Sequence, residues 1–192
     1  MTTVLVRGPL LSHSGYGVHS RQILRWLLNH RFDVRCQVTP WGMTSWYLGK
    51  DRLGGLVGEI MRLSSPPPGP ADLSFQIQLP DEWDPTLAKK NIGVSAVVET
   101  DRCNPAWIQA CNKMDGVIVP TEFSRKVLQN SGFSTTKTFV VPESFPDSLI
   151  MKGSEKTSFL NTKTKRNFLL FGQLTHPNPT DDRKNTANAI KW

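Results

Sequence analysis

Cysteine is scarce in this chain, long apolar runs are missing, and charge is mostly dispersed. The three cysteines, Cys36, Cys103 and Cys111, are an odd number with no close pair. That excludes a disulfide framework and a close-spaced metal-ligand set, and it fits a reduced, cytoplasmic compartment. No stretch approaches the about 18 apolar residues needed to span a bilayer. The N-terminal MTTVLV also lacks the charged-then-apolar layout of a secretory signal. Membrane contact is thereby restricted to peripheral contact, at the inner face. The net charge of +7 is spread out, with one denser patch at Lys163-Thr164-Lys165-Arg166. Two readings stand, a plain solvated surface or attraction for phosphorylated ligands or an anionic membrane surface; no nucleic-acid partner is expected. No internal repeat and no low-complexity tract occurs.

What is present is a chain of 192 residues with 38% hydrophobic and 20% charged content, enough to bury a core without covalent help. Short β-branched runs alternate with helical patterns. Strands are expected at residues 3–7, 33–38, 73–79, 92–98, 116–119, 137–141 and 168–171. Helices are expected at 18–29, weakly at 53–63 because of three glycines, at 105–114 behind Pro105, from Thr121 as N-cap to Gly132 as stop, and after Asp182. In the first helix Val18, Ile23, Trp26 and Leu27 are expected on one face and Arg21, Arg25 and Asn29 on another. Residues 143–166 look irregular. Alternating strands and helices joined by short connections predict an α/β, Rossmann-like, mostly parallel sheet with helices on both faces. Ligands of such sheets bind beyond the carboxyl ends of the strands.

Four stretches there carry candidate chemistry. In SHSGYGVHS the spacing Gly15-x-Gly17-x-x-Ser20 nearly matches a dinucleotide fingerprint, with serine in place of the third glycine. Glycines before a helix let backbone N–H groups converge on a phosphate or sugar; they also make a plain flexible connection. Residues 92–107, IGVSAVVETDRCNPAW, bring Glu99, Thr100, Asp101 and Arg102 to the ligand edge, to orient a hydroxyl or to cap the next helix. Thr121 to Ser124 open a second helix with hydroxyls and free N–H groups. Gly172 follows the strand at 168–171, and Arg183 and Lys184 open the last helix as a candidate diphosphate grip.

Taken together, SHSGYGVHSRQILRWLL, the ETD after a β-branched strand, the W-x7-D-x-x-x-V-P-T-x-F-S run from Trp107 to Ser124, Ser131-Gly132 and FGQLT…DRKN resemble family 4 retaining glycosyltransferases of the GT-B fold. The resemblance covers nearly the whole chain. It implies two Rossmann-like domains facing across a cleft. Residues 1–166 would form the N-terminal, acceptor-side domain, and 167–192 the first strand and helix of the nucleotide-sugar domain. It implies Gly15, Tyr16 and Gly17 near the acceptor and the transferring sugar, with Thr100, Asp101 and Thr121 as further substrate contacts. Gly172, Arg183 and Lys184 would hold the donor phosphates, with no obligatory metal and no cofactor beyond the donor substrate. Many members carry a histidine after the fourth strand; that place holds Glu99-Thr100-Asp101 here, which makes Glu99 the catalytic candidate. The acidic E-x7-E donor motif of the family does not occur in these residues. The expectation is therefore the acceptor half of a longer transferase, with little activity of its own. Its acceptor would be a glycan, lipid-linked or protein substrate. Two other readings stand beside it: a non-catalytic Rossmann-type domain for a nucleotide or phosphometabolite, and a half-protein completed by another chain, including a homodimer through 167–192.

Overall fold

The computed structural model describes residues 2–64, 70–145, 166–170, 176–182 and 184–191. The chain divides into two compact units, Met1–Leu149 and Ile150–Trp192. The first holds six parallel strands: β1 (Thr3–Gly8), β2 (Asp33–Val38), β3 (Ala71–Ile77), β4 (Ala88–Val94), β5 (Gly116–Val119) and β6 (Thr138–Val140). They lie in the order β2-β1-β3-β4-β5-β6, and every neighbouring pair is parallel. Four helices flank them: α1 (Gly15–Asn29), α2 (Leu56–Leu63), α3 (Pro105–Lys113) and α4 (Glu122–Asn130). The expected α/β, Rossmann-like parallel sheet is thus what the chain forms.

Helices cover both faces, and β5 shows why. Val117 and Val119 are buried with Ile108 and Cys111 of α3 and Val127 and Leu128 of α4. Ile118 between them packs against the other core, built from Val4, Val6, Val34 and Cys36 with Leu24 and Leu27 of α1 and Val57 and Ile60 of α2. Alternation along a strand sends successive side chains to opposite faces.

Several boundaries differ from the sequence expectation for physical reasons. α1 begins at Gly15 and not at residue 18, because Ser14 is its N-cap and its side chain accepts the Gly17 N–H. Its buried face is Gly17, Ser20, Arg21, Leu24 and Leu27, whereas Val18 and Trp26 are exposed. Arg21, expected outward, points in. α2 starts only at Leu56, since Gly54 and Gly55 take left-handed φ of 68° and 86° ahead of it. β4 spans Ala88–Val94 rather than 92–98. The β-branched run continues to Val98, but Val97 has φ 56°, a conformation no strand accommodates.

In the second unit, Asp182 caps as expected: its carboxylate accepts the Ala187 N–H at 3.0 Å at the start of α5 (Thr186–Lys191). Residues 168–170 form no strand, and Phe168 and Leu169 are almost wholly exposed. Phe171 lies outside the described residues.

All three cysteines are free and buried. Burial pushes the Cys36 and Cys111 thiols up to about 12. A raised thiol pKa favours the native state below the unfolded value, about 8.5, and this contribution is lost as pH climbs towards 12. At pH 8 the thiolate fraction falls roughly a thousandfold relative to a free thiol. A disulfide reagent is therefore expected to label Cys36 and Cys111 rapidly in urea and barely at all in the native protein, read by mass spectrometry.

Candidate functional site

The chain leaves β1 towards β2 on one side and returns to β3 on the other. That reversal opens a crevice beyond the carboxyl ends of β1 and β3. The loop from Pro9 to Ser14 fills its rim, and its shape is held from below. The Arg21 guanidinium donates to the carbonyl oxygens of Leu10 and Ser12, both at 2.8 Å, and lies 5.2 Å from the centre of the Tyr47 ring. Burial pulls Arg21 below the ordinary guanidinium value.

Residues 39–47 form the other wall. Thr39 N–H bonds the Gly8 carbonyl at 2.9 Å, Tyr47 N–H the Leu11 carbonyl at 2.8 Å, and His13 N–H the Ser45 carbonyl at 3.0 Å. Ser12 and Trp46 make an isolated antiparallel bridge. Two aromatic stacks close the wall, His13 on Tyr47 at 3.9 Å and Tyr16 on Trp41 at 4.1 Å.

Tyr16 ties this rim to the loop after β4. Its hydroxyl lies 3.0 Å from Ser95 Oγ and accepts the Ala96 N–H at 3.1 Å. Ser95 Oγ accepts the Val97 N–H at 3.1 Å. The two hydroxyls have two protons and share one bond, so whichever donates, one O–H is left to point at another acceptor. Burial raises the Tyr16 phenol above its usual value, so it stays protonated and able to donate. On the far side, Ser124 Oγ donates to the Ala96 carbonyl at 3.3 Å. The left-handed Val97, a conformation costing on the order of 1–3 kcal/mol, is thus clamped from both sides.

The two glycines of the rim differ. A Cβ on Gly17 would sit 2.4 Å from the Ser12 carbonyl oxygen and 2.9 Å from that of Pro9, whereas one on Gly15 would meet nothing within 4 Å. Gly17 is glycine because the loop backbone packs on it; Gly15 faces open space at the first turn of α1.

The other expected site residues are distributed as follows. Thr121 is the N-cap of α4, its hydroxyl accepting the Ser124 N–H at 3.0 Å. Glu99, Thr100 and Asp101 lie beyond the end of β4 in an exposed turn. Thr100 Oγ1 donates to the Arg102 carbonyl at 3.0 Å, and Asn130 Nδ2 reaches the Asp101 carbonyl at 3.5 Å. The strand therefore does not deliver this triplet directly. Lys184 is exposed in the turn before α5. Gly172 and Arg183, like Lys163-Thr164-Lys165 of the basic patch, lie outside the described residues.

Sequence reasoning missed Ser12, Arg21, Trp41, Tyr47 and Ser95, which come together only through the fold. It also missed four buried atoms near these strand ends that have no hydrogen-bond partner among the described residues: Arg7 Nε, Thr39 Oγ1, Gln78 Oε1 and Trp83 Nε1. Two open depressions of about 650 and 510 Å³ border α1, along Arg25, Leu53 and Leu56. Neither contains Gly15, Tyr16 or Ser95. Among the described residues no group of three His, Cys, Asp or Glu side chains could hold a metal ion, and no helix is long and apolar enough to cross a membrane.

Neither a protein-family model, nor a curated protein, nor a solved structure matches this chain.

The glycine pair gives a direct test. Gly17→Ala is expected to destabilise by about 1–3 kcal/mol through overpacking, measured by urea denaturation. Gly15→Leu is expected to leave the urea midpoint close to that of the wild type.

Proposed function

We propose that residues 1–166 belong to the acceptor-side domain of a glycosyltransferase that takes a sugar from a nucleotide-sugar with retention. The observation that carries this reading is the rim at the sheet's reversal point. Open backbone at Gly15 adjoins a Tyr16–Ser95 pair with one O–H to spare. A donor-rich, largely neutral rim suits a polyhydroxylated or phosphorylated ligand. The order of motifs from Gly15 to Lys184 supports the same reading.

In the reaction proposed, the bond from the anomeric carbon to the diphosphate breaks and a bond from that carbon to an acceptor hydroxyl forms on the same face. The acceptor's proton ends on the leaving phosphate. Fixed cations stabilise the developing diphosphate charge without a metal; the reading assigns that task to Arg183 and Lys184, and assigns Gly172 to the donor phosphates. Gly15, Tyr16, Gly17, Thr100, Asp101 and Thr121 are assigned to substrate, and Glu99 to the neighbourhood of the transferring sugar.

The competing reading is a binding domain for a nucleotide or phosphometabolite that does no chemistry. An acidic residue at the end of β2, which would bind a ribose, is not found; Gln37 and Thr39 stand there.

The test is a panel of nucleotide-sugars titrated into the chain by calorimetry, with sugar transfer or hydrolysis followed by mass spectrometry. Saturable binding of at least one donor or of its sugar phosphate is expected, weakened tenfold or more by Gly15→Leu at unchanged melting temperature. Saturable binding of a nicotinamide or flavin nucleotide, with no response to any sugar donor, would move the assignment to the competing class.

A further inference from the structure

The outer flank of α1 carries positive charge that no acid of the described protein answers. Residues three and four apart on a helix share a face, and Val18, Gln22, Arg25 and Asn29 form such a stripe, with Arg21 beside it. They line the depression of about 510 Å³, a volume within the range of about 300–1,000 Å³ common for small-molecule sites. Polar side chains of α1 tie down both of its walls. On one side Gln22 Nε2 donates to the Ser144 carbonyl at 2.5 Å, which places Phe145 at the rim. On the other, Arg25 Nη2 donates to the Leu53 carbonyl at 3.1 Å.

The walls are apolar and in part uncovered. Val18, Trp26 and Phe145 line the depression and are 40%, 54% and 62% exposed. The charge sits between them. Arg21 and Arg25 stand about one helical turn apart, and neither makes an ion pair among the described residues. Burial and, to a lesser degree, the like charge of Arg25 pull Arg21 below its ordinary value. Arg21 spends Nη1 on the Leu10 and Ser12 carbonyls, and its Nε and Nη2 make no hydrogen bond among the described residues. No acidic residue lines this depression. Glu59, which borders the neighbouring one together with Arg25, is paired with Arg62. Glu143 precedes Ser144 in the chain but is not part of the lining.

Two guanidiniums with unspent N–H groups between apolar walls select a ligand by chemistry. A cation is repelled by both. A purely apolar molecule leaves the guanidiniums unanswered, and a bare anion leaves the walls in water. A phosphate or carboxylate suits guanidinium donors, which bond it with charge assistance, and an apolar chain attached to it covers the exposed side chains. We infer that this depression binds an amphipathic anion, with its head on Arg21 and Arg25 and its chain along Val18, Trp26 and Phe145. Gly15 lies outside it, and the inference does not depend on sugar transfer.

The probes are octyl phosphate, 1-octanol, octylammonium and inorganic phosphate, each titrated into the full chain by calorimetry below any micelle-forming concentration. The expected result is saturable binding of octyl phosphate, tenfold or more tighter than either 1-octanol or inorganic phosphate, and no binding of octylammonium. Arg25→Gln and, separately, Val18→Glu alter exposed positions of α1. Each should weaken octyl phosphate tenfold or more at an unchanged melting temperature, whereas Gly15→Leu should not. Octyl phosphate bound no tighter than 1-octanol reduces the depression to a plain apolar patch and overturns the inference. Octyl phosphate bound no tighter than inorganic phosphate leaves a site for the head alone and also overturns it. So does binding that survives both α1 substitutions, since the probe then sits elsewhere. A chain that takes up no probe, is dimeric by sedimentation and becomes monomeric in Val18→Glu gives the depression to a second copy, which overturns the inference as well.

Discussion

The buried Arg21 guanidinium is the contact on which the crevice depends. The Pro9–Ser14 loop turns its Leu10 and Ser12 carbonyls inward, where water does not reach, and a buried carbonyl without a donor costs about 1–3 kcal/mol. A single nitrogen, Nη1 of the charged guanidinium, donates to both carbonyls at 2.8 Å, and the charge strengthens each bond. The consequences run outward. With Ser12 fixed, Ser14 is placed to cap α1, Gly17 must lack a Cβ, and Tyr47 can stack on His13 above the same guanidinium. A helix that turned only apolar side chains inward would leave this loop without support.

Tyr16 extends that order across the sheet. It stands on the first turn of α1, covered by Trp41 on its face, and reaches the loop after β4 through Ser95 and Ala96. That loop carries Val97 in a left-handed conformation, which a β-branched side chain resists. The strain persists because Tyr16, Ser95 and Ser124 over-determine the backbone around it. Strain held this way at strand ends keeps a loop in the position a ligand needs. The three elements that meet here come from residues 14–16, 95–97 and 121–124.

How much of this was legible follows from whether the signal is local. β2 at 33–38, β5 at 116–119, the Thr121 cap and the Asp182 cap could be read directly, because alternation and capping act within a few residues. Arg21 could not: helical periodicity sends an arginine outward, and only the inward-facing carbonyls of the Pro9–Ser14 loop draw it into the interior. The run from Val94 to Val98 reads as strand by composition, yet β4 ends at Val94 because the chain turns left-handed at Val97. Phe168 to Leu170 also read as strand, but a strand needs a neighbour, and none among the described residues pairs with them. Gly15, Tyr16, Gly17 and Thr121 were visible because glycines and hydroxyls at helix starts have local meaning. Ser95, Trp41, Gln78 and Trp83 carry no such mark, since their partners are brought to them by strand pairing.

The rim around Gly15 has one chemical character, and that constrains a ligand. Its unspent groups are donors: an O–H of the Tyr16–Ser95 pair and the first N–H groups of α1. Donors of this kind match acceptor oxygens, neutral or anionic, and leave a cation without a partner. Unsatisfied buried polar groups oppose folding, so a chain that has packed Gln76 and Asn91 into fully bonded networks only a few residues away has the means to satisfy Gln78 as well. Gln78 Oε1 and Trp83 Nε1 nevertheless have no partner among the described residues, so the bonded networks around Gln76 and Asn91 carry the order of this face while those two groups oppose it.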